Sequence, residues 1–267
     1  MLSSPLSHRL VAHRGNQQDY PENSLSAFQA AVTDGCRYLE LDIQLTADQV
    51  PVVYHDLSLQ RTSGVHGTIA GTASCQLAEL TASEPARLGQ RFCYEPIPTL
   101  QKVIDWYQFI LPRAPYLQLF IEIKEESIQQ FGHQQVLDAL IPILAPVQQS
   151  VIIISFNTEL LAILRNHWPR TGLILRQWPA QTSQLNSAQP DYLILNQQHI
   201  DRHERLDNQP LPVMLYEIES RQQAEHWLDR GASLLESFAC NRLLAEIARK
   251  EHQHGTIPTA HLACYQP

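Results

Sequence analysis

The chain is poor in three things that would place it in other classes of protein. No stretch of its 267 residues approaches the roughly 20 consecutive apolar residues of a membrane span, and no amphipathic or basic segment reads as a membrane-docking helix. Positive charge is scarce: 19 Lys and Arg against 27 Asp and Glu leave a formal net charge of −8, which argues against a nucleic-acid or anionic-membrane partner. Cysteine is sparse and unpatterned. Cys36, Cys75, Cys93, Cys240 and Cys264 are odd in number and follow no metal-ligand spacing, so reduced thiols in a cytoplasmic protein are expected, with Cys36 a small core residue. The first strand signal begins near Leu10, which leaves no room for a signal peptide ahead of it.

What is present suffices for one large core. Hydrophobic residues make up 44% of the chain, and its length suits a single domain spanning residues 1–267. Eight segments read as parallel strands, at 9–13, 38–43, 117–123, 151–155, 172–175, 192–196, 213–216 and 233–236. Helix-period segments at 24–34, 128–144, 158–167, 220–230 and 241–251 separate most of them, with Asn157 and Ser220 as N-caps and Gly231 and Gly255 as stops. This alternation predicts an α/β fold of the (β/α)₈ TIM-barrel class.

Residues 44–116 break the rhythm. Thr46-Ala-Asp-Gln-Val-Pro51 is a hairpin connection between two apolar runs. The second strand is therefore expected to overshoot the barrel rim, turn near Asp48 and return through 51–54, carrying His55 back to the mouth. From Ser58 to about Pro96 the chain is rich in Gly, Ser, Thr and Ala, which reads as a small subdomain over the mouth. The insertion then covers about residues 44–96, and the second barrel helix follows at 97–109.

Charged residues gather at the ends of these strands. Side chains alternate faces along a strand, so Glu40 and Asp42 point one way while Leu39, Leu41 and Ile43 point the other. Two adjacent inward carboxylates are unfavourable unless a cation joins them. Glu122 and Lys124 repeat the i, i+2 spacing, His13 and Arg14 end the first strand, and His55 ends the short run Val52-Val-Tyr-His-Asp56. These are the residue types that metal-assisted attack on a phosphodiester requires, at the strand ends where barrel sites are built.

In their order and spacing, His13-Arg14-Gly15, Pro21-Glu22-Asn23-Ser24, Glu40-Leu-Asp42, Val53-Tyr-His55-Asp56 with Leu59, Arg61 and Thr62, Ile97-Pro-Thr-Leu100, Ile121-Glu-Ile-Lys124 and Ser155-Phe156 resemble the glycerophosphodiester phosphodiesterase family. The resemblance implies a (β/α)₈ barrel that hydrolyses glycerophosphodiesters to glycerol 3-phosphate and an alcohol, with a divalent cation and two catalytic histidines. Glu40, Asp42 and Glu122 are then the expected ligands of Mg²⁺ or Ca²⁺, hard ions that prefer carboxylate oxygens. His13 and His55 are the acid and base, in either order. Arg14 and Lys124 are expected to bind the phosphate. Glu22 and Asn23 stand behind them or serve the following helix as first-turn carboxylate and cap.

The second half departs from the family. Where the seventh strand commonly ends in tryptophan and a small or hydroxyl residue, this chain has Leu215-Tyr216-Glu217; where the eighth ends in Thr-Asp, it has Glu236-Ser237-Phe238. Phe156 and Tyr216 are expected to wall the alcohol or glycerol pocket, or to pack at the rim. Asn196 and Glu217 read as hydroxyl contacts or as solvated loop residues. The expected partner is a small glycerophosphodiester. A lysophospholipase D-like or cyclising activity on a lipid diester, and a non-catalytic metabolite-binding barrel, are the alternatives.

Overall fold

The computed structural model describes residues 6–253. Its strands are β1 Leu10–Ala12, β2 Tyr38–Leu45, β3 Pro51–Val53, β4 Gln118–Ile123, β5 Val151–Ser155, β6 Thr171–Leu175, β7 Tyr192–Asn196, β8 Val213–Tyr216 and β9 Leu234–Ser237. All except β3 are parallel and paired in chain order, and β9 returns to β1 with Glu236 opposite Val11, closing an eight-stranded barrel. Around it lie α1 Leu25–Thr33, α2 Leu100–Ile110, α3 Glu125–Phe131, α4 His133–Leu144, α5 Thr158–Leu164, α6 Thr182–Ala188, α7 Arg221–Asp229 and α8 Cys240–Gln253. No described helix is long and apolar enough to cross a membrane.

The strand period of two divides the core. Inward residues Val11, Phe120, Ile152, Ile154, Ile174, Ile194, Met214 and Leu234 fill the barrel as a dry plug. Outward residues such as Leu39, Leu41 and Ile43 pack against the helices in one continuous layer. The first turns of α1, α2, α5 and α7 are closed by Ser24, Thr99, Asn157 and Ser220, each accepting from a backbone N–H three residues on. The thiols of Cys36 and Cys240, both buried, lie 2.7 Å apart across the barrel seam. Gly255 and Cys264 lie outside the described residues.

Four elements differ from expectation. The helix expected at 128–144 is two, because Gly132 takes a φ of 81° and interrupts the turn between α3 and α4. The helix expected from Ile97 begins at Leu100, since Pro98 holds the preceding residue extended and Thr99 caps the start. α6 had no strong apolar period to announce it. Between β7 and β8 the chain forms only a short 3₁₀ turn, Gln197–His199.

The hairpin is formed by β2 and β3, antiparallel with Ile43 opposite Val53, and Thr46 closes its turn by donating to Asp48 and accepting from Val50 N–H. The segment that follows has its own small core of Val52, Tyr54, Leu59, Ile69, Leu77, Ala82 and Ile97. It is latched to the β1–α1 loop: Glu84 accepts from Glu22 N–H at 2.7 Å, and Arg87 donates to the carbonyls of Gln17, Gln18 and Tyr20. That loop also contains Gly15, at φ 82°, where a Cβ would come within 2.7 Å of the Ala27 carbonyl carbon. Gly15→Ala is expected to cost about 2–3 kcal/mol, or roughly 5–10 °C in Tm for a domain of this size. A thermal melt at the wild-type temperature would contradict it.

Candidate active site

Inward positions at the ends of β2 and β4 bring Glu40, Asp42 and Glu122 together, with one carboxylate oxygen from each within 4.8 Å of the others. Strand register sets this, since Asp42 and Glu122 are direct partners across the β2–β4 ladder. Glu40 Oε2 accepts from Arg14 N–H at 3.1 Å. Asn23 holds Asp42 at both ends, donating from Nδ2 at 2.8 Å and accepting from Asp42 N–H at 3.2 Å. Lys124 Nζ lies 3.0 Å from Glu122 and 3.6 Å from Asp42.

The two histidines arrive from separate segments. His13, one residue beyond β1, is buried and stacks on Phe238 with ring centroids 4.2 Å apart. Its Nε2 is 3.8 Å from Glu40, and its Nδ1 has no hydrogen-bond partner among the described residues. His55, two residues beyond β3, is more exposed, and its Nδ1 is 2.8 Å from Asp56 Oδ1. Arg61 grips Asp56 and donates through both terminal nitrogens to Glu22. Glu22 in turn accepts from Arg14 at 3.0 Å. A continuous relay of ion pairs thus ties His55 to the end of β1.

His13, His55, Arg14, Glu40, Glu122, Lys124, Phe156 and Tyr216 all line one cavity of about 280 Å³. Glu22 and Asn23 stand behind them, supporting Arg14 and Asp42. Arg14 differs from expectation in its commitments. Its guanidinium is bonded to Glu22 and lies 3.2 Å from Asp42, so it anchors carboxylates as well as facing the cavity. Arg14, Asn23 and Glu217 are held at φ 55°, 56° and 64°, unusual for residues with a Cβ and concentrated at the mouth. The histidines, Arg14, Lys124, Glu40, Asp42 and Glu122 come from the ends of β1 to β4. Phe156, Asn196, Tyr216 and Glu217 come from β5 to β8, and Glu236 from β9, which adjoins β1; one Glu236 oxygen lies within 4.8 Å of side-chain ligand atoms of His13 and Glu40.

Burial dominates the electrostatics. It pushes Glu40 and Glu236 well above the usual carboxylate range, with Asp42 adding to the shift at both, and raises Glu122 in the same way. Burial acts in the same sense on Asp42, but Arg14 and then Lys124 outweigh it and hold that carboxylate below its usual range. Burial, and next Arg14, hold the His13 imidazole well below its usual value, so it is neutral and able to accept a proton. For Glu40, Glu122 and Glu236 the folded value exceeds the unfolded one. Their contribution to stability is present below about pH 4 and is lost as pH rises through the folded values; Asp42 acts oppositely, only at lower pH. Above about pH 4 these three carboxyls weaken the metal-free fold as pH rises, whereas His13, held below its usual value, acts in the opposite sense up to about pH 6.5; Mg²⁺, which favours the ionised carboxylates, should raise Tm more at pH 8 than at pH 5. Melts in chelator and in Mg²⁺ check this; an equal shift at both pH values would refute it.

Sequence reasoning missed four contributors. Glu236 was noted only as a departure, although its strand parity places it inward beside Val11. Phe238, Asp56 and Arg61 had no assigned role. Phe238 reaches His13 only because β9 closes on β1, a contact between ends of the chain.

The glycerophosphoryl diester phosphodiesterase family profile matches residues 13–235. An uncharacterized protein of Bacillus subtilis, YqiK, is 33% identical over 156 residues, 58% of this chain and 60% of that protein. A glycerophosphodiester phosphodiesterase of Caldanaerobacter subterraneus is 36% identical over 96 residues, 36% of this chain and 39% of that one. The matched stretches thus span well under two thirds of these relatives. An Oleispira antarctica phosphodiesterase, solved with its product sn-glycerol 3-phosphate, is 24% identical with a TM-score of 0.76, covering 90% of this chain and 96% of that one. A Thermotoga maritima glycerophosphodiester phosphodiesterase is 20% identical with a TM-score of 0.68, covering 90% and 98%; at such identities these two likenesses speak to the fold. The profile match extends from the first catalytic candidate to the last barrel strand, and the chain belongs to the glycerophosphoryl diester phosphodiesterase family.

Proposed function

We propose that the chain hydrolyses glycerophosphodiesters to glycerol 3-phosphate and an alcohol, with Mg²⁺ or Ca²⁺ held by Glu40, Asp42 and Glu122 and with His13 and His55 exchanging protons. The observation that carries this reading is the convergence of both histidines, Lys124 and the carboxylate cluster at one small cavity. The donor set fits the ion: three carboxylates from rigid strands, all hard oxygen, two of them held above their usual range by burial and mutual repulsion. When bound, a hard divalent cation supplies positive charge towards the phosphoryl oxygens.

His13, buried and neutral, is placed to take the proton of the attacking hydroxyl, whether water or the substrate's own 2-hydroxyl. His55, oriented through Nδ1 by Asp56, has its other ring nitrogen to give a proton to the departing alcohol oxygen as the P–O bond breaks. Lys124 neutralises charge growing on the phosphate. Arg14 orders Glu22 and Asp42 and adds its own charge. A cavity of about 280 Å³ suits a small polar diester better than one carrying an acyl chain.

Phosphorus NMR of glycerophosphocholine, glycerophosphoethanolamine, glycerophosphoglycerol and a lysophospholipid, each with and without chelator, tests the reading. Glycerol 3-phosphate is expected from the first three, abolished by chelation and restored by Mg²⁺ or Ca²⁺. Full turnover by verified metal-free protein would remove the cation from the mechanism, and preferred cleavage of the lysophospholipid would establish the lipid reading.

A further inference from the structure

The carboxylates Glu22, Glu40, Asp42 and Glu122 at the mouth all have partners, and Glu217, which lines the same cavity, accepts from Gln198 Nε2 at 3.2 Å. Glu22 takes Arg14 and Arg61, Glu40 takes the Arg14 N–H, Asp42 takes Asn23 and Lys124, and Glu122 takes Lys124. Glu236 has no hydrogen bond or ion pair to any described residue. It is only 3% exposed, its Oε1 is unpartnered, and it lines the cavity from β9. A buried carboxyl oxygen without a protein partner is unfavourable, and the packing around it does not call for one, since its ladder partner Val11 and the preceding inward residue Leu234 are apolar.

Two further polar groups that line the same cavity are without a partner among the described residues. The Tyr216 hydroxyl makes no hydrogen bond to a described residue, and its ring lies 6.3 Å from that of His13. Asn196 uses its side-chain oxygen on Gln198 N–H, and no protein acceptor meets its Nδ2. The cavity therefore offers an acceptor pair beside His13 and Glu40, together with a hydroxyl and an amide donor from the following walls β8 and β7. The two oxygens of one carboxylate match the spacing of hydroxyls on adjacent carbons.

We propose that Glu236 is a specificity-determining residue that, with Tyr216, binds the vicinal hydroxyls of the glycerol arm and selects diesters carrying a vicinal diol. The inference rests on the function proposed above and adds which arm of the substrate the barrel floor reads. The Glu236 carboxylate accepts from the two hydroxyls, and the Tyr216 hydroxyl and Asn196 amide complete their shell. An arm without hydroxyls leaves these groups dry and unpaired, which is the source of the discrimination.

Calorimetric binding of sn-glycerol 3-phosphate and of n-propyl phosphate, in saturating Mg²⁺, separates this from turnover. The wild type is expected to favour the glycerol compound by about 10- to 100-fold. Glu236→Leu should bring the ratio close to one, and Glu236→Gln, which keeps hydrogen-bonding atoms in the same shape, should give an intermediate ratio; thermal melts establish that each variant is folded. A wild-type ratio near one, or a ratio that survives both substitutions, overturns the proposal. So does a second equivalent of Mg²⁺ bound by the wild type and lost in both variants, which would make Glu236 a cation ligand with His13 and Glu40. A preference in binding without release of glycerol 3-phosphate from any diester counts against the proposed hydrolysis instead.

Discussion

His13→Ala and His55→Ala are each expected to lower kcat on glycerophosphocholine by about 10²- to 10⁴-fold, with Mg²⁺ still bound. The two should fail differently. His13 is buried against Phe238 and stands on the end of β1, so its removal also leaves an apolar gap, and His13→Gln is the better-packed control. His55 is oriented through Asp56, so Asp56→Asn should give a smaller loss in the same direction, with the change in kcat rather than in KM. The wild type should show a bell-shaped pH dependence of kcat/KM, and each alanine variant should lose one limb. Near-normal kcat in His55→Ala would mean that the β2–β3 hairpin does not deliver a proton-transfer group.

Asp42→Asn should be the most damaging change among the carboxylates. Asp42 lies between Arg14 and Lys124, is held by Asn23, and faces Glu122 across the ladder. Neutralising it removes a cation ligand and leaves two buried positive groups short of a partner, a class of change that costs about 3–5 kcal/mol when a buried pair is broken. Lower Tm, a Mg²⁺ requirement raised by at least about 100-fold, and kcat/KM reduced at every attainable Mg²⁺ concentration are expected. Asn23→Ala should act through Asp42 alone, raising the Mg²⁺ requirement about 10- to 100-fold with kcat recovered at saturation. Unaltered Mg²⁺ titrations in both variants would exclude this cluster as the cation site.

Much of this was legible in the chain because strand parity and turn chemistry are local. Glu40 and Asp42 declare a shared face through the apolar residues between and around them, and Thr46 to Pro51 suggests a turn because a short segment with Asp48 and Pro51 separates two apolar runs. From those two facts follow the hairpin and the return of His55. Gly132 was missed because a single glycine can sit inside a helix, so its signal is weak until its backbone angle shows the break between Phe131 and His133. Glu236 and Phe238 were missed for a different reason. Their meaning depends on β9 lying beside β1, a closure between segments more than 200 residues apart that no local pattern encodes. Arg61 carried no visible role because its partners, Asp56 and Glu22, meet only after the insertion has folded back.

The division of the barrel into two arcs bears on how such a protein changes over time. The residues proposed to handle cation, proton and phosphate sit at the ends of β1, β2, β3 and β4, buttressed by Asn23, Glu22 and Arg61, and a substitution there disturbs several groups at once. Phe156, Asn196, Tyr216 and Glu217, from β5 to β8, share no hydrogen bond or ion pair with those groups among the described residues. Mutations on the far wall can alter which molecule is accepted while leaving the reaction itself workable, so substrate preference is free to drift and be selected without passing through inactive ancestors. Libraries confined to Phe156, Asn196, Tyr216 and Glu217 should accordingly contain far more active variants than libraries of equal size drawn from the charged arc.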